Sequence, residues 1–184
     1  MPILAQEVAL YPENLLSELA VECEERRWWA FYTKARQEKA FARALVGYEI
    51  PFYLPLVVKD NVIRGRKVQS YVPLFGGYIF LFASDEERVL SLTTNRVSNI
   101  LPVQDPEQLR QDLQSVQSLI DADAPLTVEK RIVSGDRVRI KKGSMQGLEG
   151  VVIERKGKER LLVAVTMLQQ GVSVNLDDCI VEPI

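Results

Sequence analysis

Hydrophobic and polar positions change their spacing several times along this chain. Near the C-terminus, Val138 and Ile140 alternate with Arg137, Arg139 and Lys141, the period of two expected of a strand with one dry and one wet face. Glycines at 143, 147 and 150 follow, at spacings that suit tight turns or close strand approach. Val151 to Glu154 and Leu161 to Leu168 read as further strands joined by the charged turn Arg155-Lys156-Gly157-Lys158, and Val172 to Leu176 and Cys179 to Val181 complete the set. That is enough strand for a small closed barrel without exposed edges. Upstream, Trp28 to Thr33 reads as an aromatic strand. Tyr78 to Phe82 is a continuous apolar run bounded by Gly76-Gly77 and Ser84, as for a strand covered on both faces at the centre of a sheet.

Between these strands the period is helical. Over Arg36 to Tyr48, Phe41, Leu45 and Tyr48 share a face, and Gly47 and Pro51 end the helix. Phe52 to Val58 then reads as a strand, Lys59 to Lys67 as a protruding polar hairpin, and Val68 to Val72 as its return. Ser84 with Glu87 has the form of a capping box opening a helix to about Asn95. Asp105-Pro106-Glu107-Gln108 opens a second helix, whose Leu109, Leu113, Val116 and Ile120 form a stripe suited to packing on the sheet. Interspersed in this order, the elements predict an α+β fold: an N-terminal antiparallel sheet with flanking helices, followed by a small β-barrel. The expected boundaries are an N-terminal arm over residues 1–26, a first domain over 27–121, a polar linker over 122–131 and the barrel over 132–184.

Composition narrows the function. The 184 residues are 47% hydrophobic, sufficient for two small cores. There is no histidine, and the carboxylates are scattered, so no Ser-His, Cys-His or zinc constellation can be assembled. No glycine-rich phosphate loop follows a strand. The expectation is a binding protein with no catalytic residue, no metal and no cofactor. Cys23 and Cys179 lack CxxC spacing. No apolar stretch is long enough to span a bilayer, and the acidic, proline-containing start does not read as a signal peptide, which implies a cytoplasmic protein without membrane contact; a monomer is expected. The net charge of −2 is uneven, because residues 1–27 hold six Glu against Arg26 and Arg27. The remainder is close to neutral, so charge alone does not predict strong nonspecific binding to nucleic acid.

Ile132 to the C-terminus resembles the KOW module, an SH3-like barrel. Trp28-x-x-x-Tyr32-x-Lys34, Arg64-Gly65-Arg66-Lys67 and Pro73-Leu74-Phe75-Gly76-Gly77-Tyr78-Ile79-Phe80 precede it in that order. Together they resemble the N-terminal (NGN) domain of the NusG family and of its specialised paralogue RfaH. The resemblance implies a transcription elongation and antitermination factor that binds the clamp helices of RNA polymerase and suppresses pausing or termination. The clamp-binding positions it implies are Trp29, Tyr32, Phe75 and Tyr78, aromatics that bury large area at little rotamer cost; Phe80 and Phe82 are expected in the core. Non-template DNA is implied as a second partner, through Lys34, Arg64, Arg66 and Arg96.

The chain also departs from the family pattern. Gly76-Gly77-Tyr78 stands where Pro-Gly-Tyr is common, which predicts a looser turn. In the barrel, the partner-binding loop reads Met167-Leu168-Gln169-Gln170-Gly171 in place of Phe-Gly-Arg. Met167 and Leu168 keep an apolar contact while the arginine is missing, so contact with a ribosomal protein or Rho is not expected and a paralogue serving particular operons is. Valine-rich strands interrupted by Gly157 and Gly171 predict a stable barrel rather than a helical hairpin. The alternative is a ribosome-associated or RNA-binding KOW protein, with Arg155, Lys156, Lys158 and Arg160 on an RNA backbone.

Overall fold

The computed structural model describes residues 7–19, 25–63, 65–131, 135–177 and 179–184. These form two compact units, residues 1–106 and 107–184. In chain order the first contains β1 (Leu10–Tyr11), a short helical turn (Leu15–Leu19), β2 (Arg27–Thr33), α1 (Glu38–Gly47), β3 (Phe52–Tyr53), β4 (Leu56–Ile63), β5 (Arg66–Pro73), β6 (Tyr78–Ala83), α2 (Asp85–Leu92) and β7 (Val97–Pro102). Five of its strands make one antiparallel sheet in the order β1-β3-β6-β2-β7, so the continuous apolar run is the middle strand, as its composition predicts. β4 and β5 form a separate two-stranded ribbon, the expected hairpin with its return, and the strand expected over Phe52–Val58 is divided between β3 and β4.

Strand pairing assigns side chains to faces. β2 pairs with β6 so that Phe31 lies opposite Ile79, Ala30 opposite Phe80 and Trp28 opposite Phe82. On one face Phe31, Phe52, Ile79 and Leu81 pack with Phe41, Ala42 and Leu45 of α1 in a single apolar cluster. The other face carries Trp28, Ala30, Tyr53, Phe80 and Phe82, all buried. Phe80 and Phe82 are thus core residues, as expected. Each large apolar side chain buried this way contributes about 1.5–3 kcal/mol before chain entropy is counted.

The described residues 9–16 are not part of an arm set apart from this domain. Leu10 and Tyr11 pair with β3, Leu54 N–H donates to the Ala9 carbonyl, and Leu15 and Leu16 are buried. An apolar strand edge and two apolar side chains outweigh the acidic composition of the segment. α1 begins later than its apolar period suggests because Arg36 adopts φ 60, a left-handed conformation that no α-helix continues.

α2 opens with the expected capping box. Ser84 Oγ accepts from Glu87 N–H at 3.2 Å, and the Glu87 carboxylate accepts from Ser84 N–H at 2.9 Å. Arg26 also reaches Glu87 with two nitrogens, at 2.9 and 2.6 Å, and so ties the start of β2 to the helix. The helix stops at Leu92, short of Asn95, whose φ of 55 turns the chain into β7.

The second unit holds α3 (Pro106–Asp121), β8 (Thr127–Glu129), β9 (Arg137–Lys142), β10 (Glu149–Arg155), β11 (Lys158–Val165), a single turn of 3-10 helix (Thr166–Leu168), β12 (Gln170–Asn175) and β13 (Ile180–Pro183). Its strands form one antiparallel sheet in the order β13-β9-β10-β11-β12-β8 around buried Val138, Ile140, Leu161, Val163, Val165, Val172 and Val174. β10 and β11 approach so closely that a Cβ on Gly150 would stand 2.5 Å from the Leu162 carbonyl oxygen.

Two features differ from the expected boundaries. The 122–131 stretch is not all linker, because β8 pairs with β12. A polar network holds it there: Ser173 Oγ donates to Glu129 at 2.7 Å, Arg155 also binds Glu129, and Arg160 bonds Thr127 and Ser173. α3 belongs to the second unit, and its buried stripe of Leu109, Leu113, Val116 and Leu119 includes a carboxylate, Asp112. That carboxylate accepts from the Thr166 amide and the Gln108 side chain, each at 2.8 Å, which offsets the cost of removing it from water. Among the described residues no helix is long and apolar enough to cross a membrane.

Glu87 and Glu129 are both held below the ordinary glutamate range. Burial acts upward on each; hydrogen bonds and charge from Arg26 and Ser84 at Glu87, and from Ser173, Arg155 and Arg160 at Glu129, outweigh it. A carboxylate depressed in the fold contributes stability above its unfolded value of about 4.5 and loses it as pH falls through the folded one. Urea midpoints measured against pH are therefore expected to fall below about pH 4.5. The Glu87→Gln, Glu129→Gln double variant is expected to show a shallower acid limb, and an unchanged slope would exclude these two groups as its source. Ser84→Ala is expected to cost about 1 kcal/mol at neutral pH in the same assay.

Candidate partner-binding surface

At one end of the first sheet the apolar face comes out into solvent. Tyr32 lies opposite Tyr78 across the β2–β6 pair, on the same face as Ala30, Phe80, Trp28 and Phe82. The two tyrosine rings meet edge to face, with centroids 5.0 Å apart. Tyr32 is 41% exposed and Tyr78 half-buried, so an aromatic pair stands where the buried face meets water. Such a pair offers area, a fixed orientation and two hydroxyls at little entropic cost.

Their support is the turn between β5 and β6, which is tight rather than loose. Gly77 has φ +85, and a Cβ there would lie 2.6 Å from Tyr32 Cε2, so only glycine both takes this backbone and leaves room for the ring. Its carbonyl accepts from Thr33 N–H at 2.8 Å and from Thr33 Oγ1 at 3.3 Å, and Tyr78 N–H closes the turn on the Phe75 carbonyl at 3.1 Å. The missing proline is offset by bonds from β2.

The other two aromatic candidates lie elsewhere. Phe75 is 1% exposed and belongs to the core, because the turn directs its ring inward. Trp29 is on the opposite face of β2 from Tyr32, since positions an odd number apart point to opposite sides of a strand. Its indole N–H donates to the Ala83 carbonyl at 3.1 Å, and the Arg27 and Arg88 guanidinium carbons lie 4.4 and 5.0 Å from the ring centroid. Of the four, the structure brings together Tyr32 and Tyr78.

Two of the DNA candidates flank that pair. Lys34 follows β2 directly, its N–H donates to the Arg96 carbonyl at 2.8 Å, and its Nζ donates to Asn95 Oδ1 at 2.7 Å. The Arg96 guanidinium donates to Gln37 Oε1. The β2–α1 loop and the α2–β7 turn thereby form one cationic rim beside Tyr32. Arg66 is exposed near the tip of the ribbon, paired in register with Ile63, and Arg64 lies outside the described residues. Of the described candidates, the structure brings together Lys34 and Arg96.

The family model for NusG, transcription termination factor NusG, matches residues 26–133. The chain belongs to the NusG family. The matched segment covers the sheet apart from β1, the β4–β5 ribbon, α1, α2, α3 and β8. A solved structure titled "Domain interaction in Thermotoga maritima NusG" is similar at 18% identity and a TM-score of 0.46, covering 86% of this chain and 97% of that one.

In the second unit of this NusG-family protein, the loop expected to meet a partner is the turn Thr166–Leu168. Leu168 is 9% exposed and Met167 half-buried, so Met167 is the larger part of the apolar surface the turn offers outward. The Thr166 amide is engaged by Asp112. The cations proposed for an RNA backbone are mostly turned to neighbours: Arg155 to Glu129, Lys158 to Asp177 at 3.7 Å, and Arg160 to Thr127, Ser173 and Asn175. Lys156 occupies the β10–β11 turn with φ 54.

Sequence reasoning missed Asp112, Glu38 and the role of Gly77. Asp112 carried a signal, as an acid placed on the apolar stripe of α3. Separating the two kinds of aromatic is testable by stability alone. Phe75→Ala is expected to lower unfolding free energy by about 3–5 kcal/mol, and Tyr32→Ala by less than about 1 kcal/mol, in urea titrations followed by tryptophan fluorescence. Equal losses would contradict this placement.

Proposed function

We propose that this protein is an elongation factor that docks on the clamp helices of RNA polymerase through Tyr32 and Tyr78 and suppresses pausing or termination. The observation that carries the reading is the aromatic pair itself, set at the open end of an otherwise buried face and held by a turn that admits only glycine at position 77. Such a factor performs no chemistry. It binds one conformation of the polymerase, the closed clamp, better than the open one, and it shifts that equilibrium by no more than the difference in affinity.

The cationic rim of Lys34 and Arg96 beside the pair supports contact with the exposed non-template strand once the factor is docked. Phosphates met there would give a salt-dependent contribution to affinity. The ribbon tip with Arg66 is a second place for DNA. A specialised paralogue acting at particular operons fits the turn at Thr166–Leu168, which lacks an arginine and has a leucine folded inward; we do not propose a ribosomal or Rho contact. The paired cations of the barrel give the RNA-backbone reading little to stand on.

The test is transcription in vitro on a template with a strong pause site. Wild-type protein is expected to shorten dwell times, and Tyr32→Ala with Tyr78→Ala to weaken binding to polymerase by tenfold or more, on the order of a hot-spot loss. Lys34→Glu is expected to leave binding to polymerase alone nearly unchanged while reducing affinity for the complete elongation complex. Unaltered dwell times together with no detectable complex would reject the proposal.

A further inference from the structure

The two residues that open α1 direct their side chains away from their own helix. Gln37, at the N-cap, makes no side-chain cap bond, and its amide oxygen accepts from Arg96. Glu38, the acid in the first turn, accepts from the Gly77 amide through Oε1 at 2.8 Å. That position favours a carboxylate because the backbone amides at a helix start carry partial positive charge. The bond crosses from the helix to the β5–β6 turn, and with the Thr33 bonds it leaves Gly77 held at both its amide and its carbonyl. Between those two anchors Gly77 faces the Tyr32 ring, which lies 2.6 Å from where a Cβ on Gly77 would stand.

We propose that Glu38 is the positioning residue of this surface. Its carboxylate holds the turn against β2, so that Tyr32 is presented in one ring orientation before a partner arrives. This inference rests on the reading of Tyr32 and Tyr78 as the polymerase contact. Without the acceptor, the Gly77 amide is left part-buried and unpaired, the turn moves to reach water, and the floor beneath Tyr32 moves with it. The partner must then order the aromatic pair as it binds, and affinity falls.

The experiment uses the full chain as wild type, Glu38→Gln and Glu38→Ala. Three quantities are read: affinity for RNA polymerase, thermal midpoint, and hydrogen exchange at the Gly77 amide. Glu38→Ala is expected to bind about tenfold more weakly, with Gly77 exchange accelerated. Glu38→Gln keeps a neutral acceptor and is expected to stay within about threefold of wild type, and both variants are expected to melt close to wild type. A role in stability alone would move the thermal midpoint and leave the affinity of the folded protein unchanged, which overturns the proposal. So does unchanged Gly77 exchange in Glu38→Ala. If Glu38→Ala does not fold, Glu38→Ser, whose hydroxyl is too short to reach Gly77, takes its place: faster Gly77 exchange than wild type supports the proposal and equal exchange overturns it. If wild type itself does not bind polymerase, the functional reading fails, and Gly77 exchange still reports whether Glu38 holds the turn.

Discussion

The antiparallel pairing of β2 with β6 is the constraint on which the first unit depends. It runs from Arg27 opposite Ala83 to Tyr32 opposite Tyr78. A shift of one residue would exchange the faces of a whole strand, placing Trp29 and Phe31 where Trp28 and Ala30 now lie. In the observed register, one face supplies Phe31, Ile79 and Leu81 to the cluster with α1, and the other runs from buried Trp28 and Phe82 to exposed Tyr32 and half-buried Tyr78. The candidate surface is therefore the uncovered end of a core face. That explains how an aromatic pair packed edge to face comes to stand where the buried face meets solvent.

Around that end, backbone geometry and polar bonds converge on a few positions. Arg36 and Asn95 both turn the chain through the left-handed region, at φ 60 and 55, and bring the β2–α1 loop and the α2–β7 turn together. Gln37, Lys34, Asn95 and Arg96 then bond across the junction. Gly77 supplies the third side. Aromatic area and positive charge, which sequence patterns assign to separate partners, come to adjoin one another because three loops meet at the same edge of the sheet.

The second unit manages its charge differently. Arg139, Lys141, Arg155 and Arg160 face carboxylates or side-chain oxygens within the same sheet, and Glu129 collects Ser173 and Arg155 at the β8–β12 junction. The strand cations Arg139, Lys141 and Arg155 are thereby paired with carboxylates where they stand. Asp112 on α3 provides a comparable anchor for the turn at Thr166. Polar bonds of this kind contribute modest net stability, but removing one partner leaves the other buried and unsatisfied.

Local pattern was sufficient for most of the elements. The apolar run at Tyr78–Phe82, the box at Ser84 and Glu87, the helix start at Pro106 and the alternation after Arg137 each depend on neighbours a few residues away, and each appears as an element where the pattern places it. Strand parity could also have separated Trp29 from Tyr32 without a structure. What sequence alone did not decide are the matters settled by residues far apart in the chain. Phe75 turns inward, Leu10 and Tyr11 join the sheet, β8 is captured by β12, and Glu38 reaches Gly77 across 39 positions. Periodicity reports whether a side chain prefers oil or water, whereas a partner distant in the chain is chosen only when the backbone closes and each buried amide or carboxylate must find its bond.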